Sequence, residues 1–94
     1  MESKTASAVV ISEKDNVATA TRAVKAGENL AVRVGEKETE IAIKNEIKFL
    51  HKFALKDIQK GDKIFKYGML MGEATADISR GEHVHVHNVR SLRG

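Results

Sequence analysis

Three segments of the chain repeat one another around a glycine, and this limits the possible folds more than any other feature. They read A-T-R-A-V-K-A-G-E-N-L (20–30), A-L-K-D-I-Q-K-G-D-K-I (54–64) and A-T-A-D-I-S-R-G-E-H-V (74–84). Each places Ala seven residues before the Gly and Val or Ile three before it. An acid follows the Gly, and an aliphatic stands three after it. The second and third copies also share an Asp four before the Gly. Glycine reaches backbone angles closed to other residues, so each copy is expected to make one helical turn, anchor an aliphatic and turn at Gly into a strand. The glycines Gly27, Gly61 and Gly81 are 34 and 20 residues apart (61 − 27 and 81 − 61). These are turn-sized devices inside one domain, not solenoid repeats.

The rest of the chain reads as short strands with polar punctuation. Ser7–Ser12 is a β-branched run. Leu30, Val32 and Val34 alternate with Ala31 and Arg33, and Glu40–Ile47 continues through Ile41, Ile43 and Ile47. Lys63–Tyr67 and Glu82–Val89 complete the strand list. Asp15 is a good helix cap, which predicts a short helix over Asn16–Val24 ending near Gly27. The expected class is mostly β, a compact clip-like domain with short helical turns. It should occupy residues 8–90, with 1–7 disordered and 91–94 a tail or a junction to a larger partner.

At 94 residues there is room for one domain. No Cys is present to staple it, and a core this small often leans on a partner. No apolar run approaches the ~18 residues of a spanning helix, and no secretory signal precedes the first strand. A cytoplasmic protein is expected. The net charge is +3 (16 − 13), with basic and acidic residues interleaved. That lacks the clustering of a nucleic-acid surface. No nucleophile elbow, phosphate loop or H-E-x-x-H zinc motif occurs.

The D-I-x-x-G core of the repeat resembles the SAF family, a small β-clip fold. Further motifs narrow the match: D-N-V-A (15–18), H-K-F-A-L-K-D-I (51–58), K-Y-G (66–68), G-E-A-T-A-D-I (72–78) and G-E-H-V-H-V-H-N-V (81–89). In this order they look like the N-terminal domain of the altronate/galactarate dehydratase family. That family includes sulfolactate sulfo-lyase, in which this domain can be a separate small subunit. The resemblance implies a hydro-lyase acting on a hydroxy-acid, a large subunit that supplies most of the active site, and a divalent metal, iron or manganese. This chain alone should not turn over. The rival from another class is a non-catalytic SAF module for carbohydrate binding or assembly. A third option is a homodimer built on strand edges.

Dehydration needs a base, an acid for the leaving oxygen and usually a metal to hold the carboxylate. Histidine can serve each need. On a strand, His83, His85 and His87 would share one face about 6.6 Å apart, with Val84 and Val86 on the other. A solvated polar face explains that pattern equally well. The resemblance favours metal ligation, with His85 and His87 matching V-H-V-H-N and His83 carrying less weight. His51 and Lys52 match the family's I-P-x-G-H-K, here I-K-F-L-H-K, which suggests an acid/base or carboxylate-binding pair. Lys48 and Leu50 replace its Pro and Gly. Lys66 and Tyr67, and Asn16 beside Asp15, are candidates for substrate binding. Asp15 and Asn16 read equally well as a cap and a turn former, and Lys66 and Tyr67 as a snorkelling lysine and a packed ring. Ser12 stands where relatives often have His.

Overall fold

The computed structural model describes residues 8–10 and 12–91. They form nine short strands: β1 (Ala8–Val10), β2 (Val17–Thr19), β3 (Asn29–Val34), β4 (Lys37–Ala42), β5 (Lys52–Ala54), β6 (Lys63–Lys66), β7 (Met69–Ala74), β8 (His83–Val84) and β9 (Val89–Ser91). The strands make three sheets, ordered β1-β3-β4, β2-β5-β8 and β6-β7-β9, in which only β1 and β3 pair in parallel. The mostly-β expectation holds. Residues 1–7, Ile11 and 92–94, including the ends assigned to a disordered segment and a tail, lie outside the described residues.

The repeat is visible as geometry. Each copy bends, bridges at its central aliphatic, turns at Gly and enters a strand. None makes the expected helical turn, and no helix occurs among the described residues. A fourth copy sits at 43–53, with Ile43, Ile47 and Phe53 in the apolar columns. Leu50 holds the glycine column and His51 the acid column. The copies clasp in pairs, through bridges Val24–Ile47 and Ile58–Ile78. Gly27 N–H donates to Ile43 C=O and Leu50 N–H to Ala20 C=O; Gly61 N–H likewise donates to Ala74 C=O and Gly81 N–H to Ala54 C=O. The apolar columns of all four copies are buried. Asp57 and Asp77 are exchanged within the second clasp, Asp57 accepting from Arg80 N–H and Asp77 from Lys60 N–H, both at 2.9 Å.

Two cores result. Val24 and Ile47 pack with Leu30, Val32 and Phe53 in one, while Ile58 and Ile78 pack with Val17, Ile64 and Val84 in the other. The β2-β5-β8 sheet divides them. Opposed residues share a sheet face, so the pair Ala18–Phe53 serves the first core and Val17–Ala54 the second.

The helix expected over Asn16–Val24 is instead β2 followed by a bend. Asp15 does not cap it. Its carboxylate accepts Tyr67 N–H at 2.8 Å and Gly68 N–H at 2.7 Å, across the chain. The run Glu82–Val89 is not one strand either. β8 stops at Val84, and residues 85–88 form a turn before β9.

Candidate functional site

The turn at 85–88 is made by Asn88, a buried residue whose side chain replaces strand partners. Its Oδ1 accepts His85 N–H at 2.9 Å, and its Nδ2 donates to His83 C=O at 2.9 Å. Asn88 N–H also donates to His85 C=O at 3.0 Å, closing the turn. With those groups engaged, the backbone cannot stay extended. Val86, expected to point inward, is consequently 82% exposed, while Val84 stays buried.

The fold nonetheless gathers the histidines. β5 pairs with β8, so His51, just before β5, meets His83 and His85 at the end of β8. His51 Nδ1 lies 2.9 Å from His83 Nε2. The His51 ring stacks on His83 and His85, with centroids 5.1 and 4.6 Å away. One nitrogen from each of these three rings lies within 4.8 Å of the others. His87 stands to the side, its ring tilted against His83 at 5.4 Å. The sequence grouped His83, His85 and His87; the structure brings His51 together with His83 and His85.

The acid column explains why His51 is available. In the other three turns Glu28, Asp62 and Glu82 each accept the backbone N–H three residues earlier, at 2.7 to 2.9 Å. The fourth turn keeps the backbone bond, His51 N–H to Lys48 C=O at 2.9 Å, but its column residue turns toward the cluster. Leu50 takes φ 69°, the left-handed conformation that glycine has in the other copies. The loop therefore keeps its shape without the Pro and Gly of the resembling motif.

Imidazole nitrogens bond metal ions at about 2.0–2.1 Å, which sets ligand atoms about 3–4 Å apart. The three nitrogens lie within 4.8 Å of one another on half-buried or exposed rings, so a small rotation of the side chains would bring them to the spacing of a divalent ion's ligands. Burial, and then the charges of His51, His87, His85 and Lys48, holds His83 below the usual imidazole range. Desolvation against the stacked rings, with the charges of His51, Lys52 and His87, lowers His85 as well.

Lys52 is half-buried beside the cluster. Burial first, and the neighbouring Lys66 ammonium second, lower its hold on its proton. Lys66 Nζ lies 4.7 Å from the centroid of the Tyr67 ring. Asn16 is bonded to the backbone: its Oδ1 accepts Phe65 N–H and its Nδ2 donates to Lys63 C=O, both at 2.8 Å. Ser12 lies beside Gly68 and does not join the histidines. Asn88 is the functional residue that alternation concealed. Its signal was an Asn ending a histidine run, where its amide can bond its own backbone.

The altronate/galactarate dehydratase SAF domain matches residues 6–92. The chain belongs to that family. It is 42% identical over 83 residues to altronate dehydratase of Bacillus subtilis (strain 168), covering 88% of this chain and 16% of the relative. It is also 42% identical over 77 residues to altronate dehydratase of Escherichia coli (strain K12), covering 72% of this chain and 16% of that protein. Against (2R)-sulfolactate sulfo-lyase subunit alpha of Chromohalobacter salexigens the identity is 35% over 72 residues, covering 74% of this chain and 77% of the subunit. The chain thus spans about one sixth of the altronate dehydratases, and most of the sulfo-lyase subunit. No helix among the described residues is long and apolar enough to cross a membrane.

Proposed function

We propose that this SAF domain is the histidine-bearing part of a hydroxy-acid lyase, working against a large subunit or domain that supplies the rest of the active site. One observation carries the reading: His51, His83 and His85, from separate parts of a family SAF domain, converge on a point one ion could occupy. His51, His83 and His85 would hold a divalent metal. The all-imidazole set suits iron better than manganese, which favours oxygen donors and binds such sites more weakly. When bound, the ion would supply positive charge for the substrate carboxylate and for the enolate-like charge of elimination.

The chain's own groups then divide the remaining work. The stack orients the His51, His83 and His85 rings toward one another. Asn88 fixes the backbone carrying His83 and His85. His87, exposed and tilted against His83, stays outside the ligand set. A carbohydrate-binding or assembly module has no need of three imidazoles turned inward on each other, which is why the lyase reading is preferred. The relatives' names point to altronate-type sugar acids and to sulfolactate as substrate classes.

The test is reconstitution with the large subunit of the same lyase. Elimination activity should require this chain and should collapse in His51→Ala, His83→Ala and His85→Ala variants. Full activity without the chain, or with the three variants, would sink the assignment.

A further inference from the structure

Lys52 is a half-buried cation for which the described residues provide no carboxylate. The side-chain ion pairs among them use Arg22 with Glu28, Arg33 with Glu38, and both Lys63 and Arg90 with Glu73. Asp15, buried on the β6–β7 turn, is spent on two backbone N–H groups. The charge that acts on Lys52 is another cation, Lys66. An ammonium partly shielded from water with no anion beside it gains from any oxyanion that reaches it.

The surroundings specify that partner. Lys52 lies opposite Val84 in the β5–β8 ladder, which turns it toward the second core rather than the first. It lines a cleft of about 210 Å³ whose other walls are Ile64, Met71, Val84 and Val89, with His85 and Ser91 as further polar side chains. A cleft of that size holds several waters, which a small organic molecule can displace. A mostly apolar wall with one lysine suits a short carbon body ending in an oxyanion.

We infer that the Lys52 cleft is an anion-binding subsite that takes the carboxylate or sulfonate end of a short organic acid beside the histidine cluster. Lys66 acts on Lys52 without lining the cleft, and Asn16 bonds β6 at Lys63 and Phe65. The inference rests on the lyase reading for its biological substrate and adds to it the side chain of this chain that holds the acid's charged end.

The test uses the full 94-residue chain in the presence of a chelator, so that no metal recruits the anion. Propionate and ethanesulfonate are titrated while amide shifts are followed by NMR, with 1-propanol as the neutral control. Saturable millimolar shifts at Val84, His85 and Val89 with either acid are expected, and a preference between them tells carboxylate from sulfonate. Lys52→Met should remove the shifts, Lys52→Arg should keep them, and Lys66→Met should weaken them a fewfold. If Lys52→Met fails to fold, Lys52→Gln serves the same comparison. Equal shifts with propanol, shifts that survive loss of the Lys52 charge, or no shifts at the cleft would each overturn the inference. None of these readouts involves the large subunit or a metal. An empty cleft would leave the lyase reading to its own reconstitution test, and failure of that test would leave an observed anion site standing.

Discussion

His51 Nδ1 and His83 Nε2 share a single hydrogen bond of 2.9 Å. One ring donates and the other accepts, so both atoms can present lone pairs only after the donor ring shifts that proton to its other nitrogen. Protons compete with a metal for the imidazole lone pairs, so binding at His51, His83 and His85 should tighten as pH rises. Titration with iron(II) under anaerobic conditions, or with cobalt(II) as a coloured reporter, measures this. Loss of His51, His83 or His85 should cost more than the roughly 10–100-fold that loss of an outer-shell partner costs. His87→Ala should cost less than any of them. Affinity that is flat with pH, or most sensitive to His87, would contradict the assigned ligand set.

Stability of the metal-free chain should also follow pH, with a definite sign. His83 and His85 are both held below their ordinary value of 6.5. Above 6.5 they are neutral in folded and unfolded chains alike and contribute nothing. As pH falls below it, the unfolded chain takes up protons first, and the folded state loses stability until the folded values are passed. Urea midpoints should thus fall between about pH 7.5 and 5. The slope should shrink in a His83→Gln, His85→Gln variant.

Asn88→Ala should be the most damaging change near the site that touches no histidine side chain. It removes two bonds that hold His83 C=O and His85 N–H at a position only 3% exposed. A cost of about 2–4 kcal/mol is expected, since buried partners lose their bonds. Metal affinity should fall with it, because the backbone of two ligands loses its turn. Asn88→Asp restores the acceptor for His85 N–H but not the donor to His83 C=O, and should recover only part. An unchanged urea midpoint in Asn88→Ala would show that the turn is held by other contacts.

Local patterns and long-range contacts were unequally legible in the chain. Alternation in Leu30–Val34 revealed β3, and the glycine columns revealed three turns, because those signals lie within a few residues. The fourth turn was hidden: Leu50 and His51 replace both marker residues, and it takes the Val24–Ile47 bridge and the Leu50 N–H bond to Ala20 C=O to expose it. Asp15 suggested a helix cap by every local rule, but Tyr67 and Gly68, more than fifty residues away, captured its carboxylate. Period-two spacing suggested one histidine strand, and a single amide at Asn88 bent it. His51 joined the cluster through β5–β8 pairing, which no short window contains.

Leu50→Gly should stabilise the chain. A non-glycine residue in the left-handed region costs about 1–2 kcal/mol. The added freedom of an unfolded glycine returns about 0.5–1 kcal/mol of that. Leu50 is 60% exposed, so little packing is lost. A net gain of up to about 1 kcal/mol is expected by urea denaturation. A loss above that size would mean that the Leu50 side chain packs in solution more than its exposure implies.

Asp15→Ala should damage a hairpin more than fifty residues away from Asp15 in sequence. Tyr67 at φ 55° and Gly68 at φ 75° form the mirror-image turn that matches the twist of β6 and β7. Both amides point at one carboxylate, at 2.8 and 2.7 Å, and that carboxylate is 5% exposed. Removing it leaves two donors without their acceptor, for about 2–4 kcal/mol given that charged acceptors bond more strongly than neutral ones. Asp15→Asn keeps one acceptor oxygen and should fall between the two. Hydrogen exchange at Tyr67 and Gly68 separates this local mechanism from general loosening, because their protection should drop before that of Leu30 or Phe53. The same hairpin carries Ile64 and Met71 into the Lys52 cleft, so anion binding should weaken together with the turn. Equal loss of protection everywhere would show that Asp15 supports the whole fold rather than this hairpin.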